Sequence, residues 1–208
     1  MCKKNFLMEM KQRRGYAEMR LLLRRTNVNF SCIGEQLLEV AIMSYLENPA
    51  LTENELMQIA EENSPMQIPN GVPVYGLMAD SIQSVYTRKS KKLDKEGAVM
   101  FYISSIANEI RINAILEIKE AEKGITATPE ETDLMTAVCK RRMLKPKDTF
   151  KEVLNHTAGR NGYDDVDLMI GKLARYLKFD GKITIKTAIN KISDFVNEIL
   201  AEKNDLVF

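Results

Sequence analysis

Few residues of this sequence could carry out nucleophilic, acid–base or metal chemistry, and they lie far apart along the chain. The 208 residues include one histidine, His156, and three cysteines, Cys2, Cys32 and Cys139. A metal site made of cysteine and histidine needs about four clustered ligands. A serine or cysteine nucleophile needs a histidine base within hydrogen-bonding reach. Neither pattern is present, so we expect no catalytic residue, no bound metal and no cofactor.

The acidic pairs and the glycine-containing turns do not form a recognisable site either. The pairs at 61–62 and 164–165 lie at expected helix ends, where adjacent side chains do not face each other. The turn at 180–183 resembles half of an EF-hand loop, but the positions that calcium requires do not carry carboxylates. The segment 159–162 lacks the lysine and hydroxyl of a phosphate-binding loop. The sequence therefore predicts that the protein is not an enzyme, and no small-molecule substrate is evident.

Charge is distributed very unevenly, although the net charge is only +1. Residues 1–25 carry eight cations and two carboxylates, whereas residues 26–87 carry eight carboxylates and no lysine or arginine. A basic terminal arm can dock on an acidic surface of a neighbouring copy, bind phosphates or stay solvated. We predict docking on a protein partner, with nucleic acid as the alternative. The cations of this arm are Lys3, Lys4, Lys11, Arg13, Arg14, Arg20, Arg24 and Arg25.

The spacing of apolar residues predicts an all-α fold, an irregular multi-helix bundle of about eight helices. The arm should contain one or two short amphipathic helices over 3–25, interrupted at Gly15. Residues 33–47 are apolar nearly all round, so this helix should be central. Further helices are expected over 53–62, 74–92, 98–123, 128–143, 148–156, 164–177 and 184–202.

Helix starts and domain limits follow from local signals. Thr52 with Glu55, and Thr128 with Glu131, have the spacing of capping boxes, and Asp148 is expected to cap the helix that follows it. We divide the chain into a basic arm, residues 1–26, and a single helical domain, residues 27–208. A sub-boundary near 124–128 is left open.

The last helix carries an apolar seam that extends over two heptads. Such a seam packs either against another copy or into the core of its own chain. Together with the arm and the apolar end of the chain at 206–208, it leads us to predict a non-enzymatic assembly subunit that self-associates. A virus or phage particle is one setting for such a subunit. The seam residues are Ile185, Ile189, Ile192, Val196 and Ile199.

The order of elements over 33–97 supplies an alternative function. A helix, a capped helix, a loop and a helix ending in basic residues, followed by Leu93 and Gly97, resembles a winged-helix module. This resemblance implies a DNA-binding regulator or replication accessory protein. Two features depart from the pattern, namely the long loop at 63–73 and the continuous helical stripe over 98–121. The resemblance implies that DNA would be contacted by Ser84, Arg88, Lys89, Lys91 and Lys92.

The cellular location is predicted from what the sequence lacks. The cysteines are odd in number and have no CxxC spacing, which indicates reduced thiols in a reducing compartment. No apolar run reaches the roughly 18–20 residues of a membrane span. No signal-peptide pattern follows the basic N-terminus. We therefore expect a cytoplasmic protein, or one within a viral particle assembled in the cytoplasm, with no membrane partner.

Overall fold

The structure is a computed structural model that describes residues 9–25, 33–64, 66–86, 95–179, 183–203, 205–206 and 208. Within these ranges the chain is all-helical and has no strand, which confirms the predicted fold class. A short helical segment, residues 9–12, precedes the first full helix. The helices are α1 (Tyr16–Arg25), α2 (Ile33–Glu47), α3 (Glu53–Asn63), α4 (Val74–Tyr86), α5 (Lys95–Glu122), α6 (Pro129–Leu144), α7 (Phe150–Arg160), α8 (Val166–Tyr176) and α9 (Ile185–Glu202).

Capping boxes start α3 and α6, as the sequence predicts. The backbone N–H of Thr52 donates to the carboxylate of Glu55 at 2.7 Å, and that of Thr128 donates to Glu131 at 2.9 Å. Each threonine hydroxyl in turn accepts from the backbone N–H of its glutamate. These reciprocal bonds satisfy N–H groups that have no partner inside the helix, so the starts of both helices are fixed locally.

The predicted limits of α7 are wrong at both ends. The cap is Thr149 and not Asp148, because Thr149 forms a capping box with Glu152. Asp148 instead accepts a hydrogen bond from Arg141 of α6 at 2.5 Å. The helix continues to Arg160, beyond the predicted end at residue 156.

Packing divides the chain into two compact units. Unit 1 comprises the described residues up to Ile110 together with Phe208, and unit 2 comprises those from Arg111 to Leu206. Helix α5 therefore contributes residues to both units. Neither the predicted limit after residue 26 nor the open option near 124–128 coincides with this division.

Helix α2 lies in the centre of unit 1, as its nearly uniform apolar surface predicts. Leu37, Leu38 and Leu46 are completely buried, and α2 packs against α1, α3 and α4. Gly34 permits the approach of α4, since a Cβ at this position would lie 2.0 Å from the carbonyl oxygen of Leu77. The core of unit 1 is therefore built around a helix that is covered on several sides.

Unit 2 consists of the C-terminal part of α5 and of helices α6 to α9. Its core contains apolar residues of every one of these helices, including Leu116, Val138, Leu154 and Leu173. The rings of Tyr176 and Phe195 meet edge to face, with centroids 6.2 Å apart. Among the described helices of the whole chain, none is both long enough and apolar enough to cross a membrane.

Candidate functional site

The basic arm supplies the first candidate site, and its described part packs against unit 1. We call residues 9–25 the docking segment. Its apolar side chains Met10, Met19, Leu22 and Leu23 are buried in the core of unit 1. Between residues 9–12 and α1, Gly15 turns the chain with φ +84°, a conformation that favours glycine. The spacing of three and four residues along α1 thus places one apolar face against the core.

Two cations of the docking segment pair with carboxylates of α2. Arg20 forms an ion pair with Glu39, and Arg13 forms one with Glu47. The hydroxyl of Tyr16 donates to the second carboxylate oxygen of Glu39 at 3.2 Å. Burial, together with the negative charge of Glu39, raises the pKa of Tyr16 to about 12. We call Glu39 and Glu47 the acceptor pair.

The acceptor pair was not predicted from the sequence. Arg13 and Arg20 are seven residues apart, and the carboxylates that they bind are eight residues apart in the reverse order. Glu39 also stands out as a carboxylate on a helix that is apolar nearly all round. These two signals together could have suggested that the arm packs antiparallel to α2.

The other predicted cations of the arm have varied surroundings. Lys11, Arg14, Arg24 and Arg25 are exposed, and the guanidinium of Arg14 lies 5.9 Å from the ring centre of Phe208. Lys3 and Lys4 lie outside the described residues. We expected a partner outside the chain to bind the cations of the arm. For Arg13 and Arg20 this expectation is wrong in the structure, because carboxylates of α2 in the same chain neutralise both.

The predicted oligomer seam is largely part of the unit 2 core. Ile192, Val196 and Ile199 are buried there, and Ile189 packs against the same core. Only Ile185, 43% exposed, faces solvent. The helical stripe of α9 thus covers its own unit, and the structure does not present the five residues as a surface for a second copy.

The end of the chain is also packed. Arg111, 2% exposed, donates hydrogen bonds to the carbonyl oxygens of Lys203 and Leu206, both at 3.0 Å. Leu206 packs against the core of unit 2, and Phe208 packs against the core of unit 1. Since both apolar side chains have contacts within the chain, they do not form a free apolar tail.

The predicted DNA-contacting residues cannot be placed in the structure. Residues 88, 89, 91 and 92 and the side chain of Ser84 lie outside the described part, so their role stays a prediction. The segment that would hold the wing is helical from Lys95 to Glu122. The structure therefore confirms the long helix that departs from the winged-helix pattern.

The candidate nucleophile and base lie in unsuitable surroundings for a catalytic pair. Cys139 is buried in the core of unit 2, and burial raises the pKa of its thiol. His156 lies on α7, where partial burial and the charges of Arg141 and Arg160 lower its pKa. In the part of the chain that the structure describes, no cluster of three His, Cys, Asp or Glu side chains could hold a metal ion.

A polar cavity of about 450 Å³ lies in unit 2 beside the start of α6. Several of its charged groups have partners within the protein. Lys172 donates to Glu130 at 2.5 Å, and Glu131 belongs to the capping box of Thr128. Lys178 donates to the carbonyl oxygen of Gly124. The cavity is lined by Thr126, Thr128, Glu130, Glu131, Lys172, Arg175, Tyr176 and Lys178.

Comparison with known proteins identifies no relative of this chain. No family of proteins, no curated protein and no solved structure matches it.

Proposed function

We propose that this protein is a non-enzymatic, all-helical assembly subunit that acts through contacts between copies of itself. The docking segment of one copy would bind the acceptor pair and the apolar core surface of another. The cytoplasm, or a virus or phage particle assembled there, would be the setting. The proposal is supported by one observation: residues 9–25 carry a complete set of docking contacts, both apolar and ionic.

The contacts within one chain do not oppose this proposal, because every copy offers the same surface. Exchange of an identical element between copies is a common route to dimers, since each contact of the closed monomer is formed again in the dimer. Seven residues, 26–32, join the docking segment to α2. A fully extended connection of this length spans roughly 25 Å. Both partners of the Arg13–Glu47 pair are partly exposed, so salt would weaken this contact of the closed form.

Paired single-cysteine variants test the exchange directly. Arg13→Cys and Glu47→Cys would be made on separate chains, with Cys2 and Cys32 replaced by serine. The two chains are mixed in high salt, returned to low salt and treated with a short bismaleimide. Covalent dimers are expected if segments exchange, because each reactive pair then joins two chains. Light scattering should also give a mass above the 23.7 kDa of one chain.

Two matched controls make the result decisive. Arg13→Cys and Glu47→Cys on one chain must react as a monomer at high dilution, which shows that the pair is within reach. Arg24→Cys replaces Arg13→Cys in the second control, because Arg24 is exposed at the far end of α1. If the one-chain control reacts while the mixed chains give only monomers, the protein does not exchange its docking segment. If Arg24→Cys gives as much covalent dimer as Arg13→Cys, the proposal is equally contradicted.

A further inference from the structure

The positive charge of unit 2 is concentrated in residues 140–160. This segment has seven cations and two carboxylates, whereas the remainder of 111–206 has ten cations and fourteen carboxylates. It covers the last turns of α6, the connection to α7 and the whole of α7. A nearly neutral chain thus contains a strongly basic region.

The two carboxylates of this segment are already used by the fold. Asp148 pairs with Arg141, with 2.5 Å between Nη2 and Oδ2. Glu152 accepts from the backbone N–H of Thr149 at 2.7 Å and from its hydroxyl at 2.8 Å. Arg142 donates to the backbone carbonyl of Asp148 at 2.8 Å, so its charge is not neutralised by a carboxylate there. Both carboxylates of the segment are therefore engaged, Asp148 by Arg141 and Glu152 by the cap of α7.

Four further cations of the segment are exposed: Lys145, Lys147, Lys151 and Arg160. We call these four side chains, together with Arg142, the basic surface. Its members lie in the last turn of α6, in the connection to α7 and on α7 up to its last residue. An 11-residue helix is roughly 16 Å long. At about 3.4 Å per step, this corresponds to roughly five base pairs of a DNA duplex.

We propose that the basic surface of unit 2 binds the phosphate backbone of duplex DNA without reading its sequence. Exposed lysine and arginine side chains neutralise phosphates through their charge and carry no sequence information. Binding of a single strand also uses exposed aromatic rings on which bases stack. The rings next to this surface, Phe150 and Tyr163, pack against the core of unit 2 instead.

A protein partner fits this surface less well than DNA. Protein interfaces derive most of their affinity from a few aromatic or apolar anchors in buried pockets. Within residues 140–160, which are all described, the one exposed large apolar side chain is Leu144. The surface is thus dominated by point charges, and we expect an affinity that depends strongly on salt. Four phosphate contacts, one for each of the four exposed cations, predict a slope of about −3.6 for log K against log salt concentration.

Fluorescence anisotropy with a labelled DNA duplex of about 15–20 base pairs tests the proposal, since such a duplex exceeds the length of α7. The full-length chain is titrated at salt concentrations between about 50 and 200 mM. In the variant Lys145→Gln/Lys147→Gln, the magnitude of the slope should decrease by about two. The affinity for DNA should fall about tenfold. Two duplexes of unrelated sequence should bind equally.

The matched control removes the same charge elsewhere in unit 2. Lys186→Gln/Lys191→Gln changes two exposed lysines of α9 and should leave both affinity and slope nearly as in the unchanged chain. Circular dichroism establishes that both variants remain folded. The proposal is overturned if DNA does not bind at the lowest salt, or if both variants lose affinity equally. Tighter binding of an RNA duplex, or equal competition by polyglutamate of the same charge, would also overturn it. The exchange of docking segments does not affect this test.

Discussion

Arg20 of α1 forms an ion pair with Glu39 of α2, and the side chain of Glu39 is only 6% exposed. The Arg20 side chain is 29% exposed, so water reaches one partner more readily than the other. A carboxylate in such a place depends on its partner, because a buried charge without one is costly. This pair therefore ties the docking segment to α2 more firmly than an ordinary surface pair would.

Replacement of Arg20 by methionine should lower the free energy of unfolding by about 1–3 kcal/mol, because Glu39 then loses its cation. The second variant, Arg20→Met/Glu39→Met, should regain most of this loss, since the carboxylate that lost its cation is then absent as well. Urea denaturation followed by circular dichroism gives both values. The exposed Arg24 provides the matched control, and Arg24→Met should stay within about 0.5 kcal/mol of the unchanged chain. An equal effect of Arg20→Met and Arg24→Met would contradict the assignment.

The hydroxyl of Tyr16 should titrate near pH 12, because burial and the charge of Glu39 raise its pKa to about 12. An unfolded tyrosine loses its proton near pH 10. The folded state therefore binds the proton more tightly, and its contribution to stability is complete below pH 10 and is lost as pH rises towards 12. The difference in tyrosinate absorbance between the unchanged chain and Tyr16→Phe isolates this group. A difference curve with its midpoint near pH 10 would rule out the burial that we describe.

Sequence patterns of short range predicted most of the helices. The capping boxes at Thr52 and Thr128 depend on residues three positions apart, and the stripe of α9 repeats every three or four residues. Such signals are complete within one element, so they do not require knowledge of the fold. Thr149 and Glu152 have the same spacing, so the local pattern offers Thr149 as well as Asp148 for the cap of α7. The structure uses Thr149, because Asp148 pairs with Arg141.

Contacts between distant elements were not accessible to the same reasoning. An apolar stripe has the same pattern whether it covers its own core, as Ile192 and Val196 do, or another copy. The charge of Arg13 likewise indicates that an anion is near, but it does not specify Glu47, 34 residues away. The cations of the candidate site in unit 1 were therefore predicted from the sequence, whereas the carboxylates that they bind were not.

Gly34→Ala should destabilise unit 1 by about 2–3 kcal/mol, because the new methyl group would overpack a filled contact. The added Cβ would lie 2.0 Å from the carbonyl oxygen of Leu77 and 2.3 Å from the hydroxyl of Ser81. The first of these atoms belongs to the backbone, so α2 and α4 would have to move apart. Gly76→Ala is the matched control in α4, since its nearest neighbour, Pro73 Cγ, is 3.5 Å away. Gly76→Ala should raise stability by about 0.5 kcal/mol through helix propensity. Thermal denaturation compares the two variants. If Gly34→Ala is as stable as Gly76→Ala, the close approach of α2 and α4 is disproved.

His156 should titrate below its ordinary pKa of 6.5, since partial burial and the charges of Arg141 and Arg160 oppose protonation more than Asp148 favours it. Its contribution to stability is therefore complete above pH 6.5 and decreases as pH falls, because the unfolded state binds the proton more tightly. The chain has one histidine, so a single imidazole signal in NMR spectra reports this titration. A midpoint above 6.5 in the free protein would contradict the described surroundings.

The same signal should respond to DNA bound at the basic surface. A phosphate near Arg160 stabilises the protonated imidazole, so bound duplex should raise the pKa of His156. Binding and proton uptake are linked, and DNA affinity should therefore increase as pH falls from 7.5 to 5.5. His156→Gln should remove this pH dependence and leave the salt slope unchanged, because glutamine does not titrate. If DNA binds but the histidine midpoint does not move, the phosphates lie elsewhere than beside α7.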